Sequence, residues 1–166
     1  GEIWLRGRHM NAGTITAAGF AARPPAAWHR TGDLGAIDAR GRLHLSGRAA
    51  DVMKSGGYRI HPGEIETVLD GAAGGRAICV LGLPSDYWGE VIVAVAENPP
   101  EGWQDDAAAR VAALARPKHP RAWLALPDLP RNAQGKVVRA RVRDAILATH
   151  ALEDGPRPRL VALKPQ

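Results

Sequence analysis

Two long apolar runs separated by a short polar turn constrain the fold of this 166-residue chain more than any other feature. AICVLGL begins at Ala77, and EVIVAVAEN begins at Glu90. Apolar runs of this length without polar alternation are typical of strands that are buried on both faces. Because such strands need covering layers, the pattern predicts a sheet with helices packed against it.

The segments around these runs supply the expected layers. Pro62 suits a first helical turn and acidic Glu64 and Glu66 follow it, so a helix is predicted there. DVMKSGGYRI is predicted to form a tight hairpin that turns at Gly56 and Gly57. From residue 51 the predicted order is hairpin, helix, strand, strand, helix, strand and helix, with the later helices over 105–115 and 137–150.

Residues 1–48 show a different, mainly β pattern. Residues 1–8 alternate as in a strand, whereas residues 9–27 lack a period and are predicted to be loop. A hairpin is predicted from Thr31, with Gly41 in a turn that needs a positive backbone angle. The fold class is therefore predicted to be α+β, with β-hairpins followed by a small α/β domain that has a mixed sheet and flanking helices.

The cysteine and histidine content limits the chemistry of the chain. Cys79 is the single cysteine, so neither an intrachain disulfide nor a site of several thiolates is expected. The six histidines show no metal-binding spacing, and no metal is assigned to the chain. No apolar run approaches the about 20 residues needed to cross a bilayer, and the first residues given lack the basic-then-apolar pattern of a signal segment. We expect a cytoplasmic protein with no membrane partner.

The net charge of +5 is concentrated in the second half of the chain. From Arg110 onward, Lys and Arg outnumber Asp and Glu by 12 to 4, whereas before it they number 10 against 13. Such a basic half can bind nucleic acid, can bind a small anion such as a nucleotide or coenzyme, or can simply coat helices. Aromatic residues make up only 5% of the chain, so a stacking platform for single strands is not favoured.

Four segments carry a resemblance to a known family when they are taken together and in order. They are WHRTGDLG at 28–35, GRAADVMKSGGYRIHPGEIE at 47–66, GLPSDYWGEV at 82–91 and LPRNAQGKVVR at 129–139. The set resembles the C-terminal portion of the adenylate-forming enzymes, which include acyl- and aryl-CoA synthetases, luciferases and the adenylation domains of peptide synthetases. The second segment is most similar to the acyl-CoA ligase branch.

The resemblance implies a reaction and a domain organisation. The family joins a carboxylic acid to ATP (with Mg) as an acyl-adenylate, rotates a small lid domain, and transfers the acyl group to CoA or to a phosphopantetheine carrier. Residues 1–48 would be the end of the N-terminal adenylation domain, a distal β subdomain that resembles a small distorted barrel. Residues 49–150 would be the mobile C-terminal lid, and residues 151–166 an extended tail. The rest of the N-terminal domain would precede Gly1.

The resemblance also implies ligands for the nucleotide and a catalytic cation. Asp33 matches the family's ribose binder, and Arg48 matches a residue near the ribose and phosphates. Lys136, on a turn that we expect to be flexible, matches the lysine that contacts the carboxylate and the α-phosphate during adenylation. The structural alternatives are a turn aspartate, a solvated strand-end arginine and a solvated lysine at a helix start.

The hairpin at 51–60 matches the family segment that faces the active site during thioester formation. Gly56 and Gly57 would let the backbone pass close to the pantetheine arm, and Lys54 and Arg59 would make polar contacts there. A tight hairpin with solvated charges is the structural alternative. One position departs from the family, since the hinge residue is usually Asp or Lys and is here Ala50.

Three functions follow from these observations. The first is the C-terminal part of an ATP-dependent carboxylic acid–CoA ligase, inactive as an isolated fragment. The second is a non-catalytic binding or interaction module that keeps the lid fold, for which Ala50 is an argument. The third, a nucleic-acid-binding domain, rests on charge alone, and we expect no nucleic-acid partner.

Overall fold

The computed structural model of the chain describes residues 1–24 and 26–164. The chain divides into two compact units, Gly1–Ala50 and Asp51–Gln166. A short 3-10 turn, Ala49–Asp51, runs across the boundary. The strands of the first unit are Glu2–Leu5 (β1), Gly13–Thr16 (β2), Gly19–Ala22 (β3), His29–Ile37 (β4) and Leu43–Arg48 (β5).

The first unit is built from hairpins and has almost no core of its own. Strands β1, β4 and β5 form an antiparallel sheet in that order, and β2 and β3 form a separate hairpin. Among its described residues only Gly35 is buried, while large apolar side chains such as Ile15, Phe20 and Leu45 are exposed. The expected hairpins are confirmed, but the described residues of this unit do not close a barrel.

The prediction of a loop over residues 9–27 is wrong for its central part, although Pro25 lies outside the described residues. Thr16 and Gly19 close the β2–β3 hairpin, because the Thr16 hydroxyl donates to the Gly19 carbonyl at 2.9 Å. Gly19 has φ +108°, an angle that favours glycine. The four-residue strands are too short to show a periodic pattern.

The second unit follows the predicted order of elements. Its strands and helices are Met53–Ser55 (β6), Tyr58–Ile60 (β7), Pro62–Val68 (α1), Ile78–Ser85 (β8), Gly89–Glu97 (β9), Trp103–Val111 (α2), Ala122–Leu126 (β10), Arg139–Thr149 (α3), His150–Glu153 (β11) and Arg159–Ala162 (β12). Helix α3 begins two residues later than predicted, so Val137 and Val138 precede it. No helix in the described ranges is long and apolar enough to cross a membrane.

Strand β9 is the centre of a five-stranded mixed sheet. Strand β8 pairs with it antiparallel along almost its whole length, from Ile78–Ala96 to Ser85–Gly89. On its other edge, β6 pairs antiparallel at Gly89 and β10 pairs parallel from Val93 onward. The predicted mixed sheet is therefore confirmed.

The core occupies both faces of this sheet, as the continuous apolar runs predicted. On one face, Val80, Ile92 and Ala94 pack with side chains of α1 and α2. On the other face, alternate residues of the same strands pack with α3, whose Val142 and Ile146 are fully buried.

The predicted tail, residues 151–166, has more structure than an extended segment. Strands β11 and β12 pair antiparallel as a hairpin from His150–Ala162 to Glu153–Arg159. The hairpin follows α3 without a linker, and Pro165 and Gln166 lie outside the described residues.

Neighbouring residues on α3 test this packing. Replacing buried Ile146 with Ala should lower the free energy of unfolding of the second unit by about 2–5 kcal/mol, since it leaves a cavity under β8. Leu147 is 43% exposed, and its replacement with Ala should cost less than about 1 kcal/mol. Native-state hydrogen exchange of the β9 amides measures both values, and equal losses would contradict the packing described.

Candidate functional site

Asp33 and Arg48 lie together at the end of the β4–β5 ladder. The two residues are direct cross-strand partners, and Arg48 Nε lies 2.8 Å from Asp33 Oδ1. Arg48 Nη1 also donates to the Thr31 carbonyl at 3.2 Å. The Asp33 side chain is 33% exposed, and among the described residues its Oδ2 has no partner. A carboxylate and a guanidinium held side by side can hydrogen-bond vicinal hydroxyls and a phosphate.

The β6–β7 hairpin brings the predicted second-step residues together. Gly56 and Gly57 have φ of +56° and +83°, so the turn uses two consecutive left-handed residues, as in a type I′ hairpin. Lys54 and Arg59 are direct cross-strand partners, and both are exposed. Like charges placed opposite each other are unfavourable, and a bound anion would relieve the repulsion.

A cavity of about 400 Å³ lies beside this turn. Trp88 forms one wall, and its carbonyl accepts a hydrogen bond from the Gly56 amide at 2.9 Å. The guanidinium of Arg121 lies 3.4 Å from the centroid of the Trp88 ring, a cation–π contact. Burial lowers the pKa of Arg121. Arg116 and His119 complete a basic wall.

No sequence pattern predicted this cavity. Within the described residues, Ser55 Oγ and Arg121 Nε point toward no hydrogen-bond partner although both atoms are buried. The basic run RPKHPR at 116–121 was visible in the sequence, but only as part of a diffuse positive charge. Its position beside the glycine turn depends on pairing between β6 and β9, which the sequence does not reveal.

Lys136 lies on a turn that is closed by hydrogen bonds. Asn132 Oδ1 accepts from the amides of Gln134 and Lys136, both at 3.0 Å. The amide of Asn132 donates to the Lys136 carbonyl at 2.9 Å, and Gly135 adopts φ +78°. The asparagine side chain thus supplies hydrogen-bond partners that the backbone of the turn lacks, and the expected flexibility of the turn stays a prediction. The Lys136 side chain remains exposed, with no ion-pair partner in the described ranges.

Glu97, at the end of β9, fixes this turn to the sheet. Its Oε1 accepts from the Leu129 amide at 2.9 Å, and its Oε2 contacts Arg131 Nη2 at 2.8 Å. Arg131 in turn donates to the Gly135 carbonyl at 3.1 Å. The Leu129 amide, and then Arg131, hold the pKa of Glu97 below its ordinary value.

Arg139 joins three elements behind the Lys136 turn. It contacts Asp51 Oδ2 at 2.8 Å and Glu66 Oε2 at 2.5 Å, and it donates to the Val80 carbonyl at 3.2 Å. Burial alone would lower the pKa of Arg139, but the charges of Glu66 and Asp51 outweigh it and the pKa is raised. This cluster is structural.

Burial and the charge of Glu66 also raise the pKa of Cys79 to about 12, so its thiol is a poor nucleophile.

Within the second unit, the candidate residues form two separate groups at opposite ends of β9. Gly89, the first residue of β9, pairs with Ser55 next to the Gly56–Gly57 turn. Glu97, the last residue, holds the Lys136 turn. A nine-residue strand spans on the order of 25 Å. One ligand of ordinary size cannot contact both groups at once.

Comparisons with known proteins identify the family. No family model matches the chain. The chain is 39% identical over 151 residues to an indoleacetate–CoA ligase of Aromatoleum aromaticum, covering 88% of this chain and 29% of that one. It is 37% identical over 124 residues to a long-chain fatty acid–CoA ligase of Mycobacterium tuberculosis, covering 74% and 25%. The chain belongs to the adenylate-forming acyl-CoA synthetases.

A solved structure of this family supports the same conclusion. The o-succinylbenzoate–CoA synthetase of Bacillus subtilis, in complex with an acyl-adenylate intermediate, matches with a TM-score of 0.69 and 32% identity over 87% of this chain and 30% of that one. The chain thus spans between a quarter and a third of the length of these acyl-CoA synthetases, and it matches their C-terminal portion. The resemblance drawn from the four motifs is confirmed.

The Glu97 contacts predict a pH dependence of the Lys136 turn. Because the pKa of Glu97 is lowered in the folded chain, the ionised carboxylate stabilises the turn fully above the ordinary Glu pKa of about 4.3. That stabilisation should be lost as the pH falls through the lowered pKa. In the native chain, the protection factor of the Leu129 amide should decrease as the pH is lowered through this range. Glu97→Gln keeps one acceptor oxygen but cannot ionise, so its protection factors should be intermediate and should no longer change with pH.

The two turn glycines should differ in tolerance. A Cβ on either residue meets strain from its positive φ, about 1–2 kcal/mol. At Gly56 the Cβ would also lie 3.2 Å from the Trp88 ring, whereas at Gly57 no atom of the described residues lies within 4 Å of it. Gly56→Ala should therefore reduce the free energy of unfolding more than Gly57→Ala, as measured by denaturant titration. The reverse order would contradict the placement of Trp88.

Proposed function

We propose that the chain is the C-terminal part of an ATP-dependent carboxylic acid–CoA ligase. The complete enzyme would convert an acid and ATP to an acyl-adenylate and pyrophosphate, and would then transfer the acyl group to CoA or to a phosphopantetheine carrier. The observation that carries the proposal is the placement of two candidate groups at opposite ends of β9, because two successive reactions in one active site need two separate faces of the mobile unit.

Lys136 would serve the first reaction. The acid's carboxylate oxygen attacks the α-phosphorus, an oxygen–phosphorus bond forms, and the bond to pyrophosphate breaks. Both reactants are anions, so an ammonium between them offsets their repulsion and stabilises the charge that develops. The hydrogen-bonded turn holds the backbone in place, while the long side chain is free to reach out. We assign no residue of this chain to Mg²⁺, which would arrive with ATP.

Asp33 and Arg48 would hold the nucleotide in the same reaction. The Asp33 carboxylate can accept hydrogen bonds from both ribose hydroxyls, and the Arg48 guanidinium can donate to a hydroxyl or a phosphate. The ion pair between them supports this role, since it sets both side chains at one edge of the β4–β5 ladder without burying them.

The β6–β7 turn and the adjacent cavity would serve the second reaction. The CoA thiolate attacks the acyl carbon, a carbon–sulfur bond forms, and AMP leaves. Gly56 and Gly57 present backbone with no side chain in the path of a pantetheine arm. Lys54 and Arg59 are both positively charged and face each other across the hairpin. Together with the basic wall that includes Arg116, they are suited to the phosphates of such a thiol.

The domain organisation follows from the same proposal. We assign residues 1–48 to the end of the N-terminal adenylation domain, residues 49–150 to the lid and residues 151–166 to a C-terminal tail. The exposed apolar side chains of the first unit support its packing against further protein. The isolated fragment would therefore be inactive. We place the complete ligase in the cytoplasm, where ATP and CoA are available.

Separate assays of the two reactions in the complete enzyme test the proposal. Lys136→Ala should lower acid-dependent ATP–pyrophosphate exchange by about 100-fold or more, since it removes charge stabilisation of the transition state. It should leave thioester formation from supplied acyl-adenylate near the native rate. Gly57→Leu should show the reverse pattern, because its side chain enters the path of the thiol.

Lys164→Ala is the matched control for Lys136→Ala, since it removes an exposed lysine that lies far along the chain from both groups. It should leave both reactions unchanged. If Lys136→Ala leaves exchange unaffected in an enzyme that forms the thioester, the assignment of this lysine is wrong. If the native enzyme shows neither reaction, the alternative of a non-catalytic module with the lid fold is favoured.

A further inference from the structure

The turn of the C-terminal hairpin is hydrogen-bonded to the β8–β9 turn through the carboxylate of Asp154. Asp154 Oδ1 accepts from the Ser85 hydroxyl at 2.6 Å and from the Gly155 amide at 2.8 Å. Its Oδ2 accepts from the amides of Asp86 at 2.7 Å and Tyr87 at 3.2 Å. These four donors occupy all of the roughly four lone-pair sites of the carboxylate. The hydrogen bond from Ser85 is the main reason that the pKa of Asp154 is lowered, so Asp154 stays ionised near neutral pH.

The same two turns hold Trp88 on several sides. Its indole Nε1 donates to the Gly155 carbonyl at 2.9 Å, and its amide donates to Ser85 Oγ at 2.8 Å. Arg121 covers one face of its ring. Its carbonyl accepts from Gly56 at 2.9 Å, and its ring lies within 3.2 Å of the site where a Cβ on Gly56 would stand. A continuous set of contacts therefore runs from the C-terminal hairpin to the glycine turn.

From these contacts we infer that Asp154 and Gly155 are positioning residues, which hold Trp88 and the Gly56–Gly57 turn in the arrangement required for acyl transfer to the thiol. The inference rests on the proposed function of that turn. Asp154 does not contact the reacting atoms. It acts through Ser85 and Trp88, and its loss would let the cavity wall and the glycine turn move together.

Two features distinguish this role from simple covering of the core. The contacts of Asp154 are all polar and lie on the β8–β9 turn, whereas the core beneath is filled by apolar side chains of other elements. The Lys136 turn lies at the other end of β9 and, within the described residues, makes no hydrogen bond to Asp154 or Gly155. A loss of positioning should therefore affect only one of the two reactions.

The experiment compares Asp154→Ala with the adjacent Glu153→Ala. Glu153 is an exposed carboxylate with no hydrogen bond or ion pair from its side chain in the described part of the chain, so its removal controls for charge. In the 166-residue chain, nuclear magnetic resonance should show faster exchange of the Gly56 amide and the Trp88 indole in Asp154→Ala. Exchange of the core Val93 amide should stay unchanged. Asp154→Asn, which keeps one acceptor oxygen, should be intermediate.

In the complete enzyme, Asp154→Ala should slow thioester formation from acyl-adenylate by about 10- to 100-fold, as expected for a displaced positioning group. It should leave ATP–pyrophosphate exchange unchanged, and Glu153→Ala should alter neither. Equal losses in both reactions, or faster exchange of Val93, would mean that Asp154 only stabilises the fold and would overturn the inference. The inference would also be overturned if Asp154→Ala increased the exchange rate of the Gly56 amide but left thioester formation at the native rate.

If the proposed function itself is wrong, the same experiments would give a different result. The native enzyme would then form no thioester, whereas the effect of Asp154→Ala on the Gly56 and Trp88 exchange rates would still be measurable. That result would confirm the contacts and overturn the assigned role.

Discussion

The second unit depends on the central position of β9. This strand is paired along one edge by β8 and along the other by β6 and β10, and its side chains are buried on both faces. A strand held in this way cannot bend or shift register without exposing apolar surface on both sides of the sheet. It therefore fixes the distance between the β6–β7 turn at its first residue and the Lys136 turn at its last residue.

Each end of β9 carries one candidate group, and each group is fixed by polar contacts rather than by burial. At the Glu97 end, a carboxylate and Arg131 hold a turn from which one lysine projects. At the Gly89 end, Trp88 and the β6–β7 turn share a backbone hydrogen bond. The sheet between them separates the group that we propose for adenylate formation from the group that we propose for thioester formation.

The parts of the fold that depend on apolar pattern were predictable. The runs that start at Ala77 and Glu90 became β8 and β9 because continuous apolar side chains leave few alternatives to a strand covered on both faces. The hairpin at Gly56 and Gly57 was predictable because only glycine takes two successive positive φ angles without strain. The family motifs identified candidate residues that apolar periodicity could not.

Other parts could not be predicted, because they depend on polar contacts between distant residues. Asp154 and Ser85 are far apart in sequence, and nothing local marks the C-terminal segment as a hairpin that docks on the β8–β9 turn. Trp88 and Arg121 likewise meet only after the sheet has formed. The hydrogen bonds that close the turn at Lys136 could not be predicted, because the capping role of Asn132 depends on side-chain geometry.

The cluster around Arg139 fixes the first residue of the second unit to the elements that follow it. Asp51 is the first residue of the second unit, and its carboxylate forms an ion pair with Arg139 of α3. Arg139 also forms an ion pair with Glu66. The backbone at Asp51 is thereby held within the second unit. In the rotation that we propose for the lid, the hinge would therefore lie ahead of Asp51, where Ala49 and Ala50 carry neither charge nor bulk.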